Sequence, residues 1–293
     1  MIKYAIVTDS ASDIPKEYAD KLGISIIPIY INYEGKAYRD RIDIDAETIY
    51  KLQKEKNAVF KSSSPSPFDF VKIYEKLIKN YEKIISIHIS SKLSAVIKAA
   101  TVARNYLNIE NKVEIFDSLS GSMGTGLMAI AAGKACANEM DFKDILVNLE
   151  FLRKNMKLFG TINTLKYLSR SGRVPEIANI IMSATRIKPI LGISDGIVKM
   201  IGIAVSRFGS LMEITKRTLQ NFKDEKWVAG AIIHSLSFEE SKKIMLKIQP
   251  KINFVNTIIT ECTPVVGAHT GPGLIGIIIC KLNDELRDLF IIK

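Results

Sequence analysis

The sequence predicts an α/β protein of two domains, the first built on a mainly parallel sheet. Three observations carry that prediction. Strand-like apolar runs alternate with helix-length segments through the first half, as expected of parallel strands joined by crossover helices. The chain has 293 residues, more than one hydrophobic core usually organises, so two units of roughly 150 residues are expected. Past residue 156 the pattern changes to a hairpin followed by further strands and helices, which places the expected domains at 1–156 and 157–293.

The first strand is Tyr4-Ala5-Ile6-Val7, ending in Thr8-Asp9-Ser10, and a short helix starts near Pro15. Ile24 to Ile31 reads as the second strand. Ser66 as N-cap, Pro67 at the first helical position and Asp69 three residues after the cap announce a helix, and Lys83 to Ile89 follows as the third strand. A helix over about Leu93 to Leu107, a strand at Val113 to Phe116 and a helix over about Gly124 to Asn138 continue the alternation. In sheets of this kind ligands bind at the carboxyl ends of the strands, where Asp9-Ser10, Ser90-Ser91 and Asp117-Ser118 fall. A helix near Phe142 to Asn155 closes the first half.

In the second half Leu158 to Ile162 reads as a strand, Leu165 to Arg170 as a short helix and Pro175 to Arg186 as a longer one. Asp195-Gly196 between two apolar runs is a type I′ turn signal and predicts a hairpin. A helix over about Leu211 to Phe222 and strands near Val228–Ile233, Thr257–Thr260 and Gly276–Cys280 complete a second α/β unit. No internal repeat or low-complexity linker separates the halves, so a substantial interface between them is expected.

Composition narrows the class. Hydrophobic residues make up 47% and charged residues 25% of the chain, as in soluble globular proteins. Cys136, Cys262 and Cys280 show no Cys-x-x-Cys spacing, which argues against a disulfide framework or a structural zinc site and for a reducing compartment. The apolar runs, such as Leu127 to Ala132, fall short of the roughly 20 residues of a membrane span, and the amino terminus reads as a strand rather than a signal peptide. A cytoplasmic location is therefore expected. The net charge of +10 is unevenly spread: residues 1–150 hold 20 Lys+Arg and 20 Asp+Glu, whereas 151–293 hold 21 and 11. The basic half suits an anionic partner or is simply a solvated lysine-rich surface.

The candidate site rests on four polar loops. Gly267-Ala268-His269-Thr270-Gly271-Pro272-Gly273 sets one of only three histidines in a glycine-rich stretch read as a loop, where backbone can approach a ligand closely. The others are Ser62-Ser63-Ser64-Pro65-Ser66-Pro67, Ser90-Ser91-Lys92-Leu93-Ser94 and Ser169-Arg170-Ser171-Gly172-Arg173. Ser62 and Ser94 are each read as lying just before a helix, where free N–H groups favour an anion, although serine there is commonly only a cap. Arg173, next to a glycine, suits an oxyanion or is a surface charge.

Taken together, in this order along the chain, these segments resemble the DegV family, the fatty-acid-binding subunits of bacterial fatty acid kinase. Val7-Thr8-Asp9-Ser10, Phe116-Asp117-Ser118 and Tyr167-Leu168-Ser169 extend the resemblance over nearly the whole length. It implies a fatty acid buried between the two domains, with Ser62, Ser63, Ser94, Arg173, His269 and Thr270 near its head group. It also implies that Arg173 and His269 stabilise an acyl phosphate in complex with a separate kinase subunit. No cofactor is then expected on this chain, ATP and Mg²⁺ belonging to the partner, and the chain is not an enzyme alone. Transient contact with an anionic membrane is a further expected partner, and nucleic acid is not one. The family often has Thr at the Ser62 position and Gly-Gly-Arg at Ser171-Gly172-Arg173. Burying each methylene of an acyl tail is worth about 0.8 kcal/mol, and Ile177–Met182 and Ile187–Ile193 are candidate walls of the tunnel.

Two other functions draw on parts of the same sequence. A serine hydrolase would combine one of these serines with His269 and Asp9 or Asp117, but no Gly-x-Ser-x-Gly elbow is present. A nucleic-acid binder would use the basic half, which shows no recognisable binding motif. Neither a Walker loop nor the Rossmann glycine spacing occurs.

Overall fold

The computed structural model describes residues 3–174 and 187–291. The expected helix at Pro175 to Arg186 and the candidate wall Ile177–Met182 lie outside the described residues. Strands β1 (Tyr4–Asp9), β2 (Ser25–Ile27), β6 (Lys83–His88) and β7 (Val113–Asp117) form a four-stranded sheet in the order β2-β1-β6-β7, with every pair parallel. Along β1 the side chains alternate as a strand requires: Ala5 and Val7 enter one core, and Ile6 enters another. The first core lies beneath α3 (Pro67–Leu77) and α4 (Val96–Tyr106). The expected cap of α3 is present, with the Ser66 hydroxyl accepting from the Asp69 N–H and the Asp69 carboxylate accepting from the Ser66 N–H.

The second core is shared. It packs around α5 (Met123–Ala137) and α6 (Phe142–Asn155), which lie between the parallel sheet and a six-stranded sheet ordered β10-β9-β8-β13-β11-β12. That sheet comprises β8 (Met156–Thr161), β9 (Lys188–Ser194), β10 (Ile197–Ala204), β11 (Val228–His234), β12 (Phe254–Glu261) and β13 (Ile275–Lys281). Only the β11–β12 pair is parallel. Helix α5 is apolar on all sides and buried along nearly its whole length, as a helix between two sheets must be. Gly126 permits its close approach, since a Cβ there would lie 2.5 Å from the Ser12 carbonyl oxygen. Helices α8 (Arg207–Phe222) and α9 (Phe238–Ile248) cover the far face of the six-stranded sheet, and α11 (Asp284–Phe290) packs beside α5. The order of layers is helix, sheet, helix, sheet, helix. Two α/β domains thus share their middle layer. Among the described residues no helix is long and apolar enough to cross a membrane.

Several boundaries differ from the sequence reading. Ile24 to Ile31 is two strands: at Pro28 the chain leaves the parallel sheet, and β3 (Tyr30–Tyr33) joins a small antiparallel sheet with β4 (Lys36–Arg39) and β5 (Lys61–Ser63). Proline has no N–H for the ladder, which suits that exit. Helix α4 starts at Val96, because Leu93 and Ser94 donate their N–H groups to the Ser90 carbonyl in a preceding turn. Helix α2 (Ala46–Glu55), capped by Asp45, was not foreseen, nor were α9 and α11. The hairpin turn is as expected: Asp195 and Gly196 both have positive φ, 52° and 77°, as a type I′ turn requires.

Candidate functional site

Two of the site predictions need correction at the level of local structure. Ser62 does not precede a helix. It lies in strand β5, opposite Ile31 of β3, and the helix that follows is capped four residues later by Ser66. His269 is not in a loop but in the last turn of α10 (Pro264–Thr270). Pro264 suits the first helical position and Gly271, at φ 74°, ends the helix, so only Gly271-Pro272-Gly273 of the stretch read as a loop lies outside it. Gly267, inside the helix, makes room for α2, since a Cβ there would lie 2.6 Å from the Tyr50 hydroxyl.

The N-terminus of α10 is held by two buried carboxylates. Asp13 accepts from the Thr263 N–H at 2.7 Å and Asp40 accepts from the Val265 N–H at 3.0 Å. Burial raises the Asp13 carboxyl to about 6, against the hydrogen bonds from Ser122 and Thr263 that favour its ionised form. Burial likewise raises Asp40 to about 7. On the opposite flank the Gln53 side-chain amide donates to the Ala268 carbonyl at 3.1 Å. These contacts tie the segment between β12 and β13 onto the N-terminal domain, so His269 is positioned by both halves of the chain.

His269 Nε2 lies 2.7 Å from Ser62 Oγ. Arg173, which follows the left-handed Gly172 (φ 70°) at the end of α7 (Lys166–Ser171), donates to the Ser171 carbonyl at 2.5 Å and reaches Ser62 Oγ at 3.4 Å. Among the described residues Arg173 has no carboxylate partner. Burial, with Arg173 adding repulsion, lowers His269 to about 4, so its imidazole is neutral at neutral pH. Arg173 therefore carries the formal charge of this trio. The Nδ1 of His269 is buried without a hydrogen-bond partner among the described residues, an expensive state for a polar atom unless a ligand satisfies it.

The trio stands at a cavity enclosing about 1000 Å³ of atom-free space, part of it open to solvent. Ser62, Ser94, Arg173, His269 and Thr270 all line it. Ser63 does not: the next residue of a strand faces the opposite way, and its hydroxyl accepts from Asn32 at the surface. The Ser94 hydroxyl has no partner among the described residues, whereas the Thr270 hydroxyl donates to the Val266 carbonyl within α10. Most of the remaining wall is aliphatic. The six-stranded sheet contributes Leu158, Leu191, Ile193, Val198 and Ile233, and the other side contributes Ala11, Ile29, Ile89 and Val265. Of the stretch Ile187–Ile193, Leu191 and Ile193 line the cavity. Leu158, Val198 and Ile233 were not foreseen, because alternation alone does not tell which face of a buried strand meets a ligand. The arrangement can hold an amphiphile whose anionic end meets Arg173, two hydroxyls and an imidazole while its tail meets hydrocarbon.

The aspartates considered for a hydrolase are engaged elsewhere. Asp9 accepts from His88 Nδ1 at 3.0 Å and from the Ile89 and Ala11 N–H groups. Asp117 accepts from Ser91 and from the Leu119 N–H. Neither is bonded to His269. A serine, histidine and aspartate do line up, but they are Ser86, His88 and Asp9, all fully buried. Tyr74 donates to Ser86 at 2.8 Å, and Ser86 Oγ lies 2.7 Å from His88 Nε2. Every member is satisfied internally and none faces the cavity, so the network braces the strand ends of the parallel sheet. Ala11 and Ile89, whose N–H groups it holds, are both cavity residues.

Comparison with known proteins gives consistent matches. The model of the family described as "Uncharacterised protein, DegV family" matches residues 3–282. A DegV domain-containing protein of Staphylococcus aureus is 32% identical over 282 residues, covering 96% of this chain and all of that protein. One from Clostridium acetobutylicum is 33% identical over 288 residues, with the same coverage. Among solved structures, a fatty-acid-binding DegV family protein from Thermus thermophilus superposes with TM-score 0.90 at 26% identity, covering 96% of this chain and all of that one. DegV from Bacillus subtilis, described as a fatty acid binding protein, gives 0.84 at 27% identity with the same coverage.

Proposed function

Because the chain belongs to the DegV family and its cavity joins an aliphatic wall to one cationic, hydroxyl-lined end, we propose that it binds a long-chain fatty acid between its domains. The observation that carries this reading is the buried Nδ1 of His269, without a partner among the described residues, beside Arg173 and Ser62 in a cavity with a mostly aliphatic wall. A carboxylate leaving water needs several donors to replace its hydration. The Arg173 guanidinium and the hydroxyls of Ser62 and Ser94 are such donors, and a carboxylate there would favour protonation of His269. Along the tail, each buried methylene is worth about 0.8 kcal/mol, so tight binding needs no further polar contact. The described fatty-acid binding of the Thermus and Bacillus proteins supports the same reading.

The finer part of the proposal is that the bound carboxylate is presented to a separate ATP- and Mg²⁺-dependent kinase subunit, which converts it to acyl phosphate. In that complex Arg173, and His269 once protonated, offset the charge that the head group gains. The basic residues of 151–293 serve docking to that subunit, with brief contact to an anionic membrane during lipid exchange. Residues 1–156 and 157–293 are the two domains of this reading, and the cytoplasm is its location. Mass spectrometry of lipid extracted from the purified protein should find about one fatty acid per chain, and delipidated protein should melt lower and recover with palmitate or oleate. No extracted fatty acid and no thermal response would remove the binding reading. Acyl hydroxamate formed only when kinase subunit, ATP, Mg²⁺ and hydroxylamine are all present tests the finer part.

A further inference from the structure

The floor of the cavity has a notch where two glycines meet across neighbouring strands. Gly160 of β8 pairs with Gly276 of β13, and both line the cavity. In the same row Leu191 of β9 lies beyond Gly160 and Ile233 of β11 lies beyond Gly276. With strands about 4.8 Å apart, the backbones bearing Leu191 and Ile233 are about 14 Å apart, and neither residue between them bears a side chain.

The two glycines differ in what they do for the fold. A Cβ on Gly276 would lie 2.9 Å from Ile233 Cγ1, so the Ile233 side chain already fills that position. At Gly160 the nearest atom to an added Cβ is the Ile275 carbonyl oxygen at 3.4 Å, followed by Gly276 Cα at 3.7 Å, which is ordinary contact. Its φ lies outside the left-handed region. Glycine inside a strand weakens it by raising the entropy of the unfolded chain and removing a packing group. Neither backbone conformation nor protein packing requires a glycine at 160. What its missing side chain leaves is space in the cavity that His269, whose Nδ1 has no partner among the described residues, also lines.

We propose that Gly160 sets the acyl-chain length the cavity accepts, the tail lying against the bare β8 backbone there. This rests on the fatty-acid reading above. A side chain at 160 would occupy volume otherwise taken by methylenes of the tail. Leucine there should exclude about three of them, lowering affinity for sixteen- and eighteen-carbon acids on the order of 50-fold while leaving a twelve-carbon acid within a few-fold. Gly160→Ala should give a smaller shift of the same sign.

The test uses the delipidated full-length chain. Saturated fatty acids of ten to eighteen carbons are titrated against a fluorescent fatty acid, for wild type, Gly160→Ala and Gly160→Leu, with the melting temperature of each apo protein measured alongside. A shortened length profile in a folded variant supports the proposal. An unchanged profile in either folded variant overturns it while the fatty-acid reading stands; if Gly160→Leu does not fold, Gly160→Ala decides, because its Cβ meets only ordinary contacts. Wild type that binds no acid of the series overturns the fatty-acid reading, and this inference with it.

Discussion

Ser62→Ala tests the head of the cavity most directly, because its hydroxyl touches both other members of the trio. His269 Nε2 is at 2.7 Å and Arg173 at the long distance of 3.4 Å, so the substitution removes one good hydrogen bond and one weak one. His269 Nδ1 already lacks a partner among the described residues, so the variant leaves neither ring nitrogen bonded to any of them. An unsatisfied buried polar atom costs on the order of 1–3 kcal/mol, and delipidated Ser62→Ala should melt a few degrees below wild type. Fatty-acid binding should weaken by more. Losing a hydrogen bond to a carboxylate costs about 1.5–3 kcal/mol, or roughly 10- to 150-fold in affinity. Ser62→Thr keeps the hydroxyl and should stay near wild type in both measurements. Displacement of a fluorescent fatty acid gives the affinities, and thermal unfolding of the apo proteins gives the stabilities. If Ser62→Ala binds within twofold of wild type, the hydroxyl does not meet the ligand, whatever the melting temperature does.

Other consequences follow from the same geometry. Ser94→Ala should lower affinity about tenfold or more without changing apo stability, because the hydroxyl has no partner among the described residues to lose; equal losses in both would assign Ser94 a packing role. His269 is held at about 4 in the folded protein against 6.5 when free, so the unfolded chain binds more protons between those values. Apo stability should therefore fall as pH drops from 6.5 toward 4, by at most roughly 3 kcal/mol from this residue, and be flat in this contribution above 6.5. Asp13 and Asp40, raised to about 6 and about 7, act oppositely: their contribution is present below 3.8 and is lost as pH rises through 6 and 7. The His269 part is isolated by the difference between wild-type and His269→Gln unfolding curves, and a difference that does not change between pH 4 and 6.5 would show that the imidazole is not depressed. His88→Ala leaves the buried Asp9 carboxylate without its ring partner and should cost about 3–5 kcal/mol. Urea unfolding measures that loss, and a loss below 1 kcal/mol would mean that water replaces the imidazole.

Arg173→Ala and His269→Ala should cut acyl-phosphate yield in the presence of the kinase subunit more than they cut fatty-acid binding, since added negative charge makes the cationic end more important. Hydroxamate trapping beside a binding titration separates the two effects, and equal losses would confine both residues to capture.

Much of the fold was legible because its signals are local. Ser66, Pro67 and Asp69 start a helix through bonds that span three residues, and Asp195-Gly196 turns a hairpin because both residues tolerate positive φ. The alternation of apolar strands with helices required the sheet of the first half to be covered on both faces. That Ser62, Ser94, Arg173, His269 and Thr270 belong together was suggested by residue type, and all five line one cavity. Local readings failed where a partner elsewhere in the chain decides the outcome. Ser62 was placed before a helix, but pairing with Ile31 makes it a strand residue. Gly267 to Gly273 looked like one loop, yet its first half, through His269 and Thr270, is the end of a helix that Asp13, Asp40 and Tyr50, more than 200 positions away, dock. Ser63 could not be separated from Ser62 until the register of β5 was known. The notch at Gly160 and Gly276 likewise exists only because β8 and β13 pair in one register, and a slip of one residue would turn both glycines to the other face. Local chemistry chooses the elements and the kinds of groups, whereas which of them meet depends on strand register and packing between distant segments.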